Sequence, residues 1–264
     1  MSSIKQKIRS WLTLPEVREI EDLDDPNTSE LHRRIIRSKP FLRNIYLDNY
    51  RVLEKAMAGL GRSVCVELGS GGGFIKDILP NVITSDVLVL QNLNVCFSGE
   101  AIPFKEESVD IFFMIDVFHH IKQPRLVLNE MQRCLRPGGK ILMIEPANTP
   151  WGRFIFQNFH HEQFNPDAGW CIEGDGPMSD ANGAQPWIIF SRDRERFMQE
   201  YPAFSINSFR CHTPLRYLLS GGVSMRQLLP NFTYPLICLI EIILSPLNPY
   251  LGMFCTIELV KSRA

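Results

Sequence analysis

What this 264-residue chain lacks narrows its function first. It has no excess charge of either sign, with 28 Lys and Arg against 29 Asp and Glu and a formal net charge of −1. A nucleic-acid binder carries a basic field, so non-specific nucleic-acid binding is disfavoured. The one local exception, Arg33, Arg34, Arg37, Lys39 and Arg43, reads as a solvated helix face. No CxxC occurs, and the seven cysteines are odd in number and widely spaced. That argues against a disulfide framework or a zinc site and predicts reduced, buried thiols in a cytoplasmic protein. The first twenty residues contain no apolar core of the signal-peptide kind, so no secretory leader is predicted. Internal repeats and low-complexity tracts are absent. No long uninterrupted apolar run occurs either: Phe232–Leu247 is broken by Pro235, Glu241 and Pro246, and its pieces are too short to span a bilayer. This segment is expected to be a buried helix or one seated on a membrane surface.

What is present is an ordinary globular composition, 45% hydrophobic and 22% charged, enough for one large domain or a domain with a cap. Residues 1–60 read as a helical cap. Thr28 or Ser29 caps a first helix carrying Leu31, Ile35 and Ile36, and a second runs from about Phe41 to Met57 before Gly59 and Gly61. After Gly61 the period shortens. Apolar runs at 63–68, 82–85, 94–97, 109–115 and 140–145 alternate with helix-like stretches such as Pro124–Leu135, which implies a parallel sheet with helices on both faces. The interval 82–97 leaves room only for short helices. Residues 147–200 form a substrate-side insert, expected to be a long ordered loop region with small elements of its own. Phe204–Cys211 and Met253–Val260 are further strand candidates.

The most informative stretch is Val64-Cys65-Val66-Glu67-Leu68-Gly69-Ser70-Gly71-Gly72-Gly73. A β-branched run ends in a carboxylate, and glycines then fall at alternate positions, where a ligand can approach the backbone closely. About twenty residues on, Ile83-Thr84-Ser85-Asp86 ends the next strand in a second acid, placed to accept both vicinal ribose hydroxyls of an adenosine ligand. A dinucleotide fingerprint needs G-x-G-x-x-G, but here the third glycine comes one position early and Phe74 stands in its place. Glu67 would repel a pyrophosphate and attract a cationic or zwitterionic ligand.

Glu67-x-Gly69-x-Gly71-x-Gly73 resembles motif I of the class I S-adenosylmethionine-dependent methyltransferases of the ubiquinone-methylating type. Three further segments follow in the family's order: Ser98-Gly99-Glu100-Ala101-Ile102-Pro103-Phe104 with Ser108-Val109-Asp110, Asp116-Val117-Phe118-His119-His120, and Leu135-Arg136-Pro137-Gly138-Gly139-Lys140. The resemblance covers roughly residues 60–146. It implies an α/β, Rossmann-like, seven-stranded and mostly parallel sheet whose last strand is antiparallel, with the N-terminal helices as a cap over the domain 61–264. It implies S-adenosyl-L-methionine as cofactor, with Glu67, Gly69, Ser70, Gly71 and Gly73 at the methionine part, Asp86 at the ribose, and Ser98, Gly99 and Asp116 completing the site. Ser98 departs from the family's usual aspartate and is a weaker adenine partner. The D/N-P-P-Y/F motif is missing after the fourth strand, where Ile115-Asp116-Val117-Phe118 stands, so nucleobase or glutamine amino groups are not expected as substrates.

Methyl transfer from a sulfonium asks the protein to align the acceptor, exclude water and, where needed, take a proton. His119 and His120, at the carboxyl end of a strand, and His161, within His160-His161-Glu162, are the candidate catalytic groups. No metal is expected, because acidic ligands at recognisable spacing are missing. Tyr46 and Tyr50 are candidates to close over the cofactor, and Trp151, Trp170 and Trp187 to offer flat surfaces to an acceptor. The expected activity is methylation of oxygen or carbon on a small-molecule, lipid- or glycan-linked acceptor, in a cytoplasmic protein with peripheral membrane contact through 232–247. The alternatives are a cofactor-binding protein without turnover and a nicotinamide-dependent oxidoreductase.

Overall fold

The structure is a computed structural model that describes residues 10–20, 22–61, 63–91, 93–160, 162–174 and 176–263. Two helices come first, α1 (Pro26–Ser38) and α2 (Pro40–Met57). Asp25, not Thr28 or Ser29, caps α1: its side chain accepts from the Asn27 N–H, and Pro26 takes the first helical position, where a missing N–H costs nothing. Thr28 and Ser29 are instead buried within the helix.

The sheet elements are β1 (Cys65–Glu67), β2 (Ile83–Asp86), β3 (Val95–Cys96), β4 (Val109–Ile115), β5 (Leu135–Pro146), β6 (Phe204–His212) and β7 (Phe254–Lys261). They lie in the order β3-β2-β1-β4-β5-β7-β6. β7 pairs antiparallel with both β5 and β6, while the strands from β3 to β5 are parallel to one another. β4 is buried through Ile111–Met114, as expected of a strand covered on both faces. The chain runs outward through β1, β2 and β3, then returns to place β4 on the other side of β1. That reversal opens a crevice at the carboxyl ends of β1 and β4, the place where ligands enter open α/β sheets.

Of the helices that follow, α3 (Pro124–Cys134) leads into β5, α4 (Pro150–Phe159) and α5 (Arg194–Glu200) belong to the 147–200 region, and α6 (Arg216–Ser220) and α7 (Tyr234–Leu244) lie between β6 and β7. The glycine turn after β1 leads only into a single 3₁₀ turn, Ile75–Asp77. Nothing helical lies between β2 and β3, even in short form, among the described residues.

The 147–200 region carries helices at both ends of its loop. Its loop is braced to the turn after β4, with the Asn182 N–H donating to the His119 carbonyl and the Gln185 side-chain amide to the carbonyls of Ile121 and Trp170. α6, α7 and the N-terminal helices are knitted by Arg216, which donates to Asp48 on α2 and to Glu241 and Tyr234 on α7. Buried Lys39, its ammonium lowered to about 8 by desolvation, donates to the Gly222 and Met225 carbonyls.

The 232–247 expectation changes in two ways. Helical turns flank α7 and carry it through Pro235 and Pro246, so the helical passage Asn231–Leu251 reaches 21 residues, long and apolar enough by length and composition to cross a membrane. It is also largely exposed, where a core helix would be covered: Phe232 is 82%, Ile242 67% and Ile243 69% accessible, and only Ile237 and Glu241 of α7 are buried.

Candidate active site

The crevice opens into a cavity of about 410 Å³. Glu67, Gly69, Ser70, Gly71, Gly73, Asp86, Ser98, Gly99, Asp116, His119 and His120 all line it, so the structure brings together the described residues that the sequence assigned to cofactor contact and to catalysis, the two tyrosines apart. His161 lies outside the described residues. Of the two tyrosines, Tyr46 lines the cavity, whereas Tyr50 is fully buried behind the glycine turn and accepts from the Phe74 N–H at 2.8 Å. None of Trp151, Trp170 and Trp187 lines the cavity. Trp170 packs instead beneath Arg125 and Arg196 and donates to Asp193, and Trp151 donates to the Pro214 carbonyl.

At the donor end, β1 delivers Glu67 into the crevice, and the chain turns sharply through Gly69 and Gly71, at φ +63° and +45°. A side chain on Gly69 would sit 2.6 Å from Val117, so only glycine lets the turn pass the β4 end. Glu67 is buried, and its Oε2 has no hydrogen-bond partner. Burial, with Asp86 adding repulsion, raises its carboxyl to about 8. An unpaired buried carboxylate oxygen on a cavity wall is a place for a cationic group. Asp86 ends β2 at the same level. Its Oδ2 accepts from the Gly71 N–H at 2.8 Å and its Oδ1 from the Leu88 N–H at 3.0 Å, and burial raises its carboxyl despite them. Each oxygen keeps a lone pair for a ligand hydroxyl. Ser98 accepts from the Glu100 N–H at 3.2 Å, which holds the Ser98–Gly99 turn at the cavity wall.

The other end is built around the turn after β4. Asp116 stands at φ +53°, unusual for a residue with a side chain, and burial pushes its carboxyl up to about 8 against the attraction of His119. The cause of the turn is Glu145 at the end of β5. Its Oε1 accepts from the N–H groups of Val117 and Phe118 at 3.0 and 2.8 Å, and its Oε2 lies 2.6 Å from His119 Nδ1. Sequence reasoning passed over Glu145, although an acid ending an apolar strand beside the crevice was the available signal. It grouped Glu162 with His160 and His161 but did not bring His119 and His120 to it. Glu162 Oε2 lies 3.3 Å from His119 Nε2 and 3.5 Å from His160 Nδ1, and its Oε1 lies 3.7 Å from His120 Nε2. Burial works against an ionised Glu162, but the surrounding imidazoles hold its carboxyl well below the usual range. Burial lowers His120 to about 4. It also opposes charge on His119, whose two carboxylate neighbours nonetheless raise it well above the ordinary value.

Residues 66–143 match the family model described as a methyltransferase domain. This segment is a methyltransferase domain. Among curated relatives, an uncharacterized methyltransferase of Mycobacterium leprae (strain Br4923) is 41% identical over 46 residues, 17% of each chain. A ubiquinone/menaquinone biosynthesis C-methyltransferase of Ruegeria sp. (strain TM1040) is 32% identical over 50 residues, 19% of this chain and 20% of the relative. The matched stretch thus spans about a fifth or less of these relatives. Solved structures extend the likeness of fold beyond the methyltransferase domain. A SAM-dependent methyltransferase of Thermotoga maritima superposes with a TM-score of 0.51 at 16% identity, covering 88% of this chain and 99% of that one. A geranyl diphosphate C-methyltransferase of Streptomyces coelicolor A3(2), solved with Mg2+, geranyl diphosphate and S-adenosyl-L-homocysteine, gives 0.50 at 12% identity over 91% and 86%.

Proposed function

We propose that the protein is an S-adenosylmethionine-dependent methyltransferase acting on an oxygen or carbon of a small, apolar or lipid-linked acceptor. The observation that carries this is the unpaired, buried Oε2 of Glu67 beside the glycine turn, with Asp86 at the end of the next strand. When bound, S-adenosylmethionine supplies a methyl group on a sulfonium, an electrophile that needs no further activation. Glu67 would hold its ammonium group, and Asp86 its ribose hydroxyls. Gly69 and Gly71 let the turn bend close to it, and the Ser98–Gly99 turn would lie against its adenine. The misplaced third glycine and the buried acid speak against a nicotinamide dinucleotide.

The acceptor half is bounded by Asp116, His119, His120, Glu162, Phe156, Tyr217 and Phe254. The aromatic side chains exclude water and orient an apolar body, while Asp116 and His120 stand where a leaving proton would be taken. The exposed helical passage lies one layer away: Glu241 of α7 grips α6 through Arg216, and α6 carries Tyr217 into the cavity wall. Phe154 and Phe159 are exposed on α4, whose Phe156 lines the same cavity, and the turn Asn248–Leu251 packs against α4. This continuity supports a lipid-linked acceptor delivered from a membrane surface. Seven free thiols, with Cys96 and Cys171 exposed, suit the reducing cytoplasmic side.

The test is thermal denaturation of the full chain with S-adenosylhomocysteine or NAD. The melting temperature is expected to rise with the first and stay put with the second. No rise with saturating S-adenosylhomocysteine removes the reading, and a rise with NAD alone replaces it.

A further inference from the structure

We propose that His119, His120 and Glu162 form a binding site for a first-row divalent transition-metal ion such as Zn2+ on the acceptor wall of the cavity. Their donor atoms all lie within 4.8 Å of one another. The nearest pairs are spaced at 3.3 and 3.7 Å. A tetrahedral ion with bonds of about 2.0–2.1 Å holds its ligands ~3.3 Å apart, so His119 and Glu162 already stand at ligand spacing and the third donor, within 4.8 Å, has to draw in.

Hydrogen-bond logic makes the stronger case. The Asp180 carbonyl can only accept, and His120 Nδ1 lies 3.3 Å from it, so that nitrogen carries the ring proton. His120 Nε2 is then left with a lone pair facing Glu162 Oε1, an acceptor facing an acceptor. His119 is held differently. Its Nδ1 lies 2.6 Å from Glu145 Oε2 and its Nε2 3.3 Å from Glu162 Oε2, so a bound ion would replace the proton that Nε2 shares with Glu162. A cation between the three groups turns the opposition at His120 into a bond. Both rings also carry the outer partners that metal-bound histidines use to fix tautomer and orientation, a carboxylate for His119 and a backbone carbonyl for His120. Two imidazoles and one carboxylate favour a transition metal over Mg2+ or Ca2+.

Glu162 is partly accessible, so an ion can reach the site, and three protein ligands leave coordination positions toward the cavity. On the methyl-transfer reading, those positions would take an oxygen of the acceptor, and with the ion bound Asp116, not His120, would be left to take its proton. The binding of the ion itself does not depend on that reading. Local spacing could not reveal the site, because Glu162 enters from the far end of α4.

Chelator-stripped full chain titrated with Co2+ should bind one ion with the visible absorption of a low-coordinate site, and Zn2+ should displace it. His120→Asn and Glu162→Gln should each weaken Co2+ binding about tenfold or more. X-ray absorption on the Zn2+-loaded wild type, which needs no variant to fold, should show two imidazoles and oxygen. Absence of binding, a sulfur ligand, or unchanged affinity in both variants overturns the site. The S-adenosylhomocysteine melting shift, measured on the same stripped samples, keeps the two readings separable. Its loss with Co2+ binding intact removes the methyl-donor reading alone, and the reverse removes the metal site alone.

Discussion

Glu145 and His119, at the ends of neighbouring strands, meet at 2.6 Å between Oε2 and Nδ1. The same carboxylate takes the Val117 and Phe118 N–H groups, so one buried side chain fixes both the backbone turn after β4 and the ring that follows it. Glu145→Ala would strand these donors, at roughly 1–3 kcal/mol for each buried orphan. Urea denaturation is expected to show a loss of about 3 kcal/mol or more, with Glu145→Gln losing less because it keeps one oxygen. An alanine variant within ~0.5 kcal/mol of wild type would show that the turn does not depend on this clamp.

Glu67 couples binding to pH. Its folded value, about 8, stands above the ordinary 4.5, so the folded chain holds this proton where the unfolded chain has released it. The stability gained is complete below about pH 4.5 and is lost as pH rises through 8. Glu67→Gln should therefore raise the melting temperature of the ligand-free protein at pH 8 and above, by a few degrees for each ~1 kcal/mol relieved. It should also weaken S-adenosylhomocysteine tenfold or more. In the wild type a cationic ligand selects the ionised carboxylate, so binding between pH 5 and 8 should release a proton. Calorimetry in two buffers of different protonation enthalpy reads that release, and identical heats would place the cation elsewhere.

The glycine turn offers a test of its own. Gly69→Ala combines a left-handed backbone, at φ +63°, with a Cβ 2.6 Å from Val117. Overpacking of this kind costs about 1–3 kcal/mol, and the backbone adds ~1. Val117→Ala introduced in the same chain should recover the steric part and leave the backbone part, so the double variant should melt above Gly69→Ala alone. A double variant no more stable than the two losses added together would mean that Val117 is not the obstruction.

These residues also mark how far the sequence could be read. Glu67, the glycines and Asp86 were legible because strand ends and tight turns are written in consecutive residues. The strands β4, β6 and β7 were legible for the same reason, within one or two residues at each end. The cap of α1 was misplaced because Thr28 and Ser29 have the right chemistry, while Pro26 sets the actual start one residue after Asp25. An α-helix has no room after the glycine turn, since β2 begins at Ile83, ten residues beyond Gly73. Glu145 escaped notice, and Glu162 was grouped only with its neighbours His160 and His161, because their partners are joined to them only by the pairing of β4 with β5 and by the fold of the insert. Exposure along α7 was hidden too, because an apolar helix reads alike whether protein or lipid covers it.

That exposed face yields the last prediction. α7 is held to the protein by Glu241, which accepts from the Leu215 and Arg216 N–H groups and from the Arg216 guanidinium. A helix anchored by a buried charge pair on one side is tied to lie along the protein, and its opposite side is left for lipid. Ile242 and Ile243, 67% and 69% accessible, contribute little to folding, so replacing both by Lys should move stability by no more than ~0.5 kcal/mol for each change. If a phospholipid surface covers the face, the wild type should co-sediment with phosphatidylcholine–phosphatidylglycerol vesicles, and the double variant should stay in the supernatant with its S-adenosylhomocysteine shift unchanged. Equal sedimentation of the two proteins would put the membrane contact elsewhere, and absence of the wild type from the pellet would remove it. Methyl transfer to a water-soluble acceptor should be the same in both proteins, because the substituted face lies one layer outside the cavity wall.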